Sequence, residues 1–201
     1  MMNKARLEAF TDAVIAIILT IMILEIKTPE SFSLTSVLSD APYVISYAVG
    51  YLFIGSAWYL HHYMFSKAHV ITKHTFWCNL FWMFTTSFIP VATNWVSEGL
   101  NQRGPAIFYA LVYGVWTIAY VLLSHSIIKS ERKAGHKKSA DDIDSMKIYR
   151  FWMEWQKYIP ALIVWALILT FCPALQLVAI TLFILLVGAR FNKDSDKLFT
   201  E

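Results

Sequence analysis

The chain has 201 residues, of which 57% are hydrophobic, 16% are aromatic and only 15% are charged. A soluble domain of this length carries more charge and fewer tryptophans than the 8 found here. The composition therefore indicates a membrane protein. The formal net charge of +3 is too small to support nucleic-acid binding by bulk electrostatics, and no nucleic-acid partner is expected.

Apolar stretches along the chain predict six membrane-spanning helices, since a span needs roughly 20 apolar residues. The first four stretches cover about residues 8–26, 43–65, 75–96 and 105–128. The last apolar tract, 159–189, is too long for one ordinary span and contains Pro173. A proline interrupts a helix, so this tract predicts two short helices over 157–171 and 174–190.

The distribution of Lys and Arg predicts the orientation of these spans. With six spans and the N-terminus inside, 2 basic residues fall outside, Lys27 and Arg103, and 15 fall inside. The inner residues are Lys4, Arg6, Lys67, Lys73, Lys129, Arg132, Lys133, Lys137, Lys138, Lys147, Arg150, Lys157, Arg190, Lys193 and Lys197. By the positive-inside rule we expect a multi-pass plasma-membrane protein with both termini in the cytoplasm. The alternative, one long C-terminal helix and five spans, is disfavoured because it places the last three of these residues outside.

One long polar segment, KSERKAGHKKSADDIDSMK at 129–147, is expected to be a cytosolic loop. Its basic residues could bind anionic lipid. A solvated linker is the simpler interpretation. No second soluble domain is visible, so residues 1–201 are interpreted as a single all-α membrane domain.

The first span divides its residues between two faces. At about 100° per residue, one stripe contains Ala13, Ile17, Thr20, Ile21 and Leu24. Asp12, Ile15 and Leu19 lie on the opposite side. An ionisable residue in a span is costly unless it faces protein or water, so Asp12 is expected to face its own bundle. The stripe then faces lipid, a partner subunit or a water path.

Polar side chains from the first three spans are expected at one membrane level. His61 lies near the inner end of the second span, and Asn79 begins the third at the same depth. Arg6 and Asp12 begin the first span on that side. Polar groups inside a membrane need partners. We therefore expect a structural clasp that holds the first helix, with Arg6 or His61 as the partner of Asp12.

Motifs in the first three spans resemble those of the transmembrane protein 175 family of potassium channels. The sequence Arg6-x-x-x-Phe10-Thr11-Asp12 resembles the R-x-x-x-F-[ST]-D signature of that family. The pair Trp58-x-x-His61 matches in the second span, and Asn79-Leu80 followed by Phe88 and Pro90 matches in the third. The resemblance extends over the whole chain and implies a bacterial member with one six-helix unit.

The resemblance implies a homotetramer whose first helices line a central pore, without the TVGYG filter of ordinary potassium channels. It implies constrictions at Ile17, Ile21 and Leu24 and a threonine layer at Thr20. It also implies a structural polar network of Arg6, Phe10, Thr11, Asp12, Trp58, His61 and Asn79. We therefore expect a channel with a modest preference for potassium over sodium. Potassium is expected as the permeant ion, with no other cofactor, and membrane lipids as partners.

The alternative function is a proton-coupled secondary transporter that uses His61 and Asp12 as a relay. Inverted repeats with broken helices would support it, and neither is visible in the sequence. An enzyme is not expected, because no Ser/His/Asp or HExxH arrangement occurs. No metal site is expected, since the histidines lack the spacing of histidine boxes. Cys78 and Cys172 lie in apolar runs without CxxC spacing, and we interpret them as buried thiols.

Overall fold

The computed structural model describes residues 3–26, 32, 41–146, 149–150, 153–154, 156 and 159–188, with the side chains of 161 and 183–188 excepted. The helices are α1 (Lys4–Leu24), α2 (Ala41–Lys67), α3 (Lys73–Thr86), α4 (Ile89–Glu98), α5 (Arg103–Ala134), α6 (Lys137–Asp144), α7 (Ile159–Phe171) and α8 (Leu175–Gly188). No strand occurs in these ranges. The predicted all-α class is confirmed.

Three of the described helices, α1, α2 and α5, are long and apolar enough to cross a membrane. The longest, α5, has 32 residues. At about 1.5 Å per residue it extends about 48 Å, against about 30 Å for the hydrocarbon core of a bilayer. One polar end of α5 therefore lies beyond the apolar part of the bundle.

The stretch 75–96, predicted as one span, contains two helices. α3 ends at Thr86, and α4 begins at Ile89 with Pro90 in its first turn. Proline lacks the N–H that would continue the hydrogen bonds of α3, and its ring crowds the preceding turn. The hydroxyls of Thr85 and Thr86 also donate to the carbonyl of Trp82, at 2.8 and 2.7 Å. Such bonds to a preceding carbonyl often bend a helix.

The segment 129–147, expected to be a polar loop, is largely helical within its described residues. α5 continues to Ala134, Gly135 turns the chain with φ of 88°, and α6 follows. α6 is amphipathic and buries Ala140 and Ile143, which a solvated loop would not do. Arg132 of α5 forms an exposed ion pair with Asp144 of α6, with the charged atoms 3.1 Å apart.

The C-terminal apolar tract is divided near Pro173, with α7 ending at Phe171 and α8 beginning at Leu175. Cys172 lies in this turn and is exposed, whereas Cys78 is buried in α3. The buried-thiol interpretation is therefore wrong for Cys172. Its local sequence is apolar, but it follows the end of a helix whose last residue, Phe171, is itself 73% exposed.

α5 packs against α3, α4 and α6, and α2 packs against α4 and α8. α1 packs mainly on α2 and α3 and touches α4. The first helix therefore lies at the edge of the bundle, with one side against the other helices and one side uncovered within the chain.

Candidate functional site

α1 buries one side and exposes the other. Its buried residues recur every three or four positions, at Leu7, Thr11, Ile15, Ile18 and Met22, which is the period of an amphipathic helix. The uncovered side carries Ile17, Ile21 and Leu24, which are 56%, 44% and 79% exposed. Ala13 and Thr20 are exposed as well. The structure thus places the five residues of the predicted stripe together, away from the bundle.

Thr20 contributes the hydroxyl on this exposed face. Its Oγ1 donates a hydrogen bond to the carbonyl of Ile17 at 2.8 Å. A threonine hydroxyl has one proton and two lone pairs. Because the proton is committed to the helix backbone, the oxygen remains available only as an acceptor.

The buried side of α1 is joined to α2 and α3 by a chain of hydrogen bonds. Thr11 donates from Oγ1 to the carbonyl of Leu7 at 2.9 Å and accepts from Nδ2 of Asn79 at 2.8 Å. The other amide atom, Asn79 Oδ1, lies 2.8 Å from Nε2 of His61. An amide oxygen only accepts, so His61 carries its proton on Nε2 and donates it to Asn79.

Aromatic rings hold the His61 imidazole on both sides. Its ring stacks on Phe65 and on Trp82, with centroid distances of 4.2 and 4.7 Å. His61, Thr11 and Asn79 are all buried. The imidazole orientation is therefore fixed by packing as well as by its hydrogen bond.

Asp12 has a different partner from the one expected. Its Oδ1 accepts from Nε1 of Trp58 at 2.8 Å, which leaves Asp12 tied to α2 but outside the Thr11–Asn79–His61 chain. Arg6 is exposed, and no ion pair between Arg6 and Asp12 occurs within the described residues. Phe10 is also exposed, on the side that carries Ile17. The predicted network is therefore two separate connections, and the structure does not bring Arg6 or Phe10 into either.

The far end of α1 has its own connection to the bundle. Glu25 follows the last helical residue and accepts a hydrogen bond through Oε2 from Nδ2 of Asn94 in α4, at 3.3 Å. α1 is thus fixed near its beginning by Thr11 and Asp12 and at its end by Glu25. These contacts set the rotation of the helix and keep its isoleucine side outward.

Known proteins are similar to this chain in sequence and in fold. The family profile described as "Endosomal/lysosomal potassium channel TMEM175" matches residues 6–90. The chain is also 35% identical over 139 residues to a potassium channel of Chryseobacterium sp. (strain P1-3), covering 69% of this chain and 72% of that protein. The chain belongs to the TMEM175 family. The matched range contains α1 from Arg6 onward and all of α2 and α3. It therefore includes every residue of the exposed stripe, of the Thr11–Asn79–His61 chain and of the bond between Asp12 and Trp58.

Further TMEM175-like proteins agree. A potassium channel of Chamaesiphon minutus (strain ATCC 27169 / PCC 6605) is 32% identical over 161 residues, covering 74% of this chain and 78% of that protein. A crystal structure of a homolog of the lysosomal potassium-selective channel TMEM175, from Chamaesiphon minutus, superposes with a TM-score of 0.73 at 25% identity. The alignment covers 93% of this chain and 97% of the other. The family resemblance and the membrane class are confirmed.

One polar cluster of this TMEM175-family chain was missed by sequence reasoning. His69, Glu131 and His136 bring their side chains together although Glu131 lies 62 residues from His69. The only local signal is Gly135, a residue that commonly ends a helix and reverses the chain, between Glu131 and His136. The long-range partner, His69, has no local signal at all.

Proposed function

We propose that this chain is one subunit of a potassium channel in which α1 lines the pore. Two kinds of observation support the proposal. The relatives are themselves named potassium channels. The observation that carries the proposal is the exposed apolar stripe of α1, because the bundle of the same chain leaves it uncovered while fixing the opposite side.

A pore requires several copies of α1, since one exposed helix face cannot enclose a channel. We propose a homotetramer, the state implied by the resemblance, with the stripes facing a common axis. The membrane is proposed to be the plasma membrane, with both termini in the cytoplasm.

The proposed constriction is formed by Ile17, Ile21 and Leu24. Rings of such side chains make a narrow apolar neck, which blocks ions by excluding water without any physical plug. Opening then requires only that the neck widens and fills with water.

The proposed preference for potassium follows from the cost of removing water at that neck. An ion that crosses it sheds part of its hydration shell, and potassium holds its shell less strongly than sodium. Thr20 lies on the same face, and its oxygen presents only lone pairs, which suits it to replace a lost water oxygen. Without a cage of backbone carbonyls, we expect the discrimination to be modest.

Reversal potentials test the function directly. Purified protein in liposomes, with potassium on one side and sodium on the other, is expected to give a current that reverses away from 0 mV in the direction of potassium selectivity. A current that reverses at 0 mV would contradict the proposed preference for potassium over sodium. Flux that saturates and follows a proton gradient would instead indicate the proton-coupled transporter. A proton relay would need His61 and Asp12 to be joined, but His61 is bonded to Asn79 and Asp12 is bonded to Trp58.

A further inference from the structure

The carboxylate of Glu131 lies between two imidazole rings at the polar end of α5. Its Oε2 is 3.2 Å from Nδ1 of His69 and 2.9 Å from Nδ1 of His136. The three potential ligand atoms all lie within 4.8 Å of one another. None of the three residues takes part in the exposed stripe of α1 or in its polar connections.

The other carboxylate oxygen of Glu131 is bound by backbone N–H groups, which fix the orientation of the side chain. Oε1 of Glu131 accepts hydrogen bonds from the backbone N–H groups of His69 at 2.8 Å and Val70 at 2.7 Å. The Glu131 side chain is completely buried. Because rotation would break both backbone bonds, Oε2 stays directed at the two imidazoles. Supporting bonds of this kind orient the ligands of metal sites in proteins.

The two histidines are placed by backbone turns and remain accessible. The end of α5 is closed by hydrogen bonds from the N–H of Gly135 to the carbonyl of Arg132 and from the N–H of His136 to the carbonyl of Glu131. The turn closed by these bonds places the side chain of His136 beside that of Glu131. The side chains of His69 and His136 are 58% and 42% exposed, so an ion in solution can reach both.

We propose that His69, Glu131 and His136 form a binding site for a divalent transition-metal ion, with Zn²⁺ as the best match. Two imidazole nitrogens and one carboxylate oxygen are ligands that Zn²⁺ prefers, and magnesium and calcium favour oxygen alone. Tetrahedral zinc with bonds of about 2.1 Å separates its ligand atoms by roughly 3.4 Å. The oxygen–nitrogen distances of 3.2 and 2.9 Å are close to that value. Water completes the fourth position.

Bound metal would replace the protons that now join the imidazoles to Glu131. It would connect the turn between α2 and α3, where His69 lies, to the turn between α5 and α6, where His136 lies. The site is a linkage between two turns at one end of the bundle.

Metal binding by the full-length chain tests the proposal without reference to ion conduction. Protein without a polyhistidine tag, purified in detergent and stripped with a chelator, is titrated with Zn²⁺ against a chromogenic competitor. We expect one ion per chain. His69→Gln and His136→Gln are each expected to weaken the affinity at least about tenfold, since even residues that only support a metal's ligands change affinity by about 10–100-fold.

His125→Gln is the matched control. His125 is also an exposed histidine, and its Nδ1 lies 3.2 Å from the hydroxyl of Tyr149, outside the cluster. Its substitution is expected to leave zinc affinity unchanged. Thermal unfolding without zinc checks that the variants are folded, which their exposed positions favour. Absence of saturable zinc binding to the unsubstituted protein would overturn the proposal, and so would a zinc affinity in His69→Gln and His136→Gln equal to that of the unsubstituted protein.

Discussion

At the scale of single residues, Asn79 is the point where the polar contacts of three helices meet. It accepts from His61 of α2 and donates to Thr11 of α1, while lying on α3. All three side chains are buried. A polar group left unpaired in such a place costs about 1–3 kcal/mol, whereas a typical hydrogen bond contributes about 1 kcal/mol. The side-chain amide of Asn79 therefore stabilises the packing of α1 against α2 and α3.

Replacing Asn79 by Leu is expected to lower the free energy of unfolding by about 1–3 kcal/mol, because the buried Nε2–H of His61 loses its acceptor. Thr11 keeps its hydrogen bond to the carbonyl of Leu7. Leucine has nearly the same size but can neither accept from His61 nor donate to Thr11. The measurement is the thermal unfolding midpoint of the purified protein in detergent.

Ser46→Ala is the control for this substitution. Ser46 is buried in α2, and its hydroxyl has no hydrogen-bond partner within the described residues. Removing it is expected to change stability little. If Asn79→Leu shifted the midpoint no more than Ser46→Ala does, the hydrogen-bond chain would not be what holds α1.

At the scale of helices, the contact of α1 and α4 with α2 depends on Gly50. A Cβ atom added at Gly50 would lie 2.6 Å from Cε of Met22 in α1 and 2.9 Å from Oγ1 of Thr93 in α4. These distances are too short for ordinary contact. The Met22 side chain can move, but Thr93 is branched at Cβ and has few alternative positions. A hydrogen atom at position 50 is therefore needed for the three helices to pack this closely.

Gly50→Ala is expected to lower the free energy of unfolding by about 1–3 kcal/mol through overpacking. Gly55→Ala, on the same helix, is the control, because a Cβ there meets nothing within 4 Å. Alanine is a better helix former than glycine by about 1 kcal/mol, so the control is expected to be neutral or stabilising. Denaturant titration followed by circular dichroism measures both. Equal effects of the two substitutions on the free energy of unfolding would show that α1 and α4 can move away from position 50 without loss of stability.

At the scale of the molecule, the sequence predicted what depends on local periodicity. The spacing of residues along α1 assigned Ile17 and Ile15 to different faces of the helix. The apolar stretches predicted the positions of α1, α2 and α5. Three features needed the folded chain. Trp58, and not Arg6, is bonded to Asp12. The helix α6 buries Ala140 and Ile143, and His69 contacts Glu131 across 62 residues. Each results from a long-range contact that has no local pattern.

The proposed assembly predicts that two isoleucines of the same helix behave differently. Ile17 and Ile23 are 56% and 50% exposed, but they lie about 120° apart around the helix. Only Ile17 belongs to the stripe proposed to face the axis. Asparagine at position 17 makes the neck easier to wet. A barrier lowered by about 1 kcal/mol would raise the unitary potassium current roughly fivefold.

Ile23→Asn places the same polar group on α1 outside the stripe, so its unitary current is expected to match that of the unsubstituted channel. Single-channel recording in planar bilayers, with equal potassium on both sides, compares the three proteins. Unitary current is the appropriate quantity because it does not depend on how many channels insert. A larger current with Ile23→Asn and an unchanged current with Ile17→Asn would show that the side of α1 that carries Ile23 faces the pore. Ile17 would then not be part of the constriction.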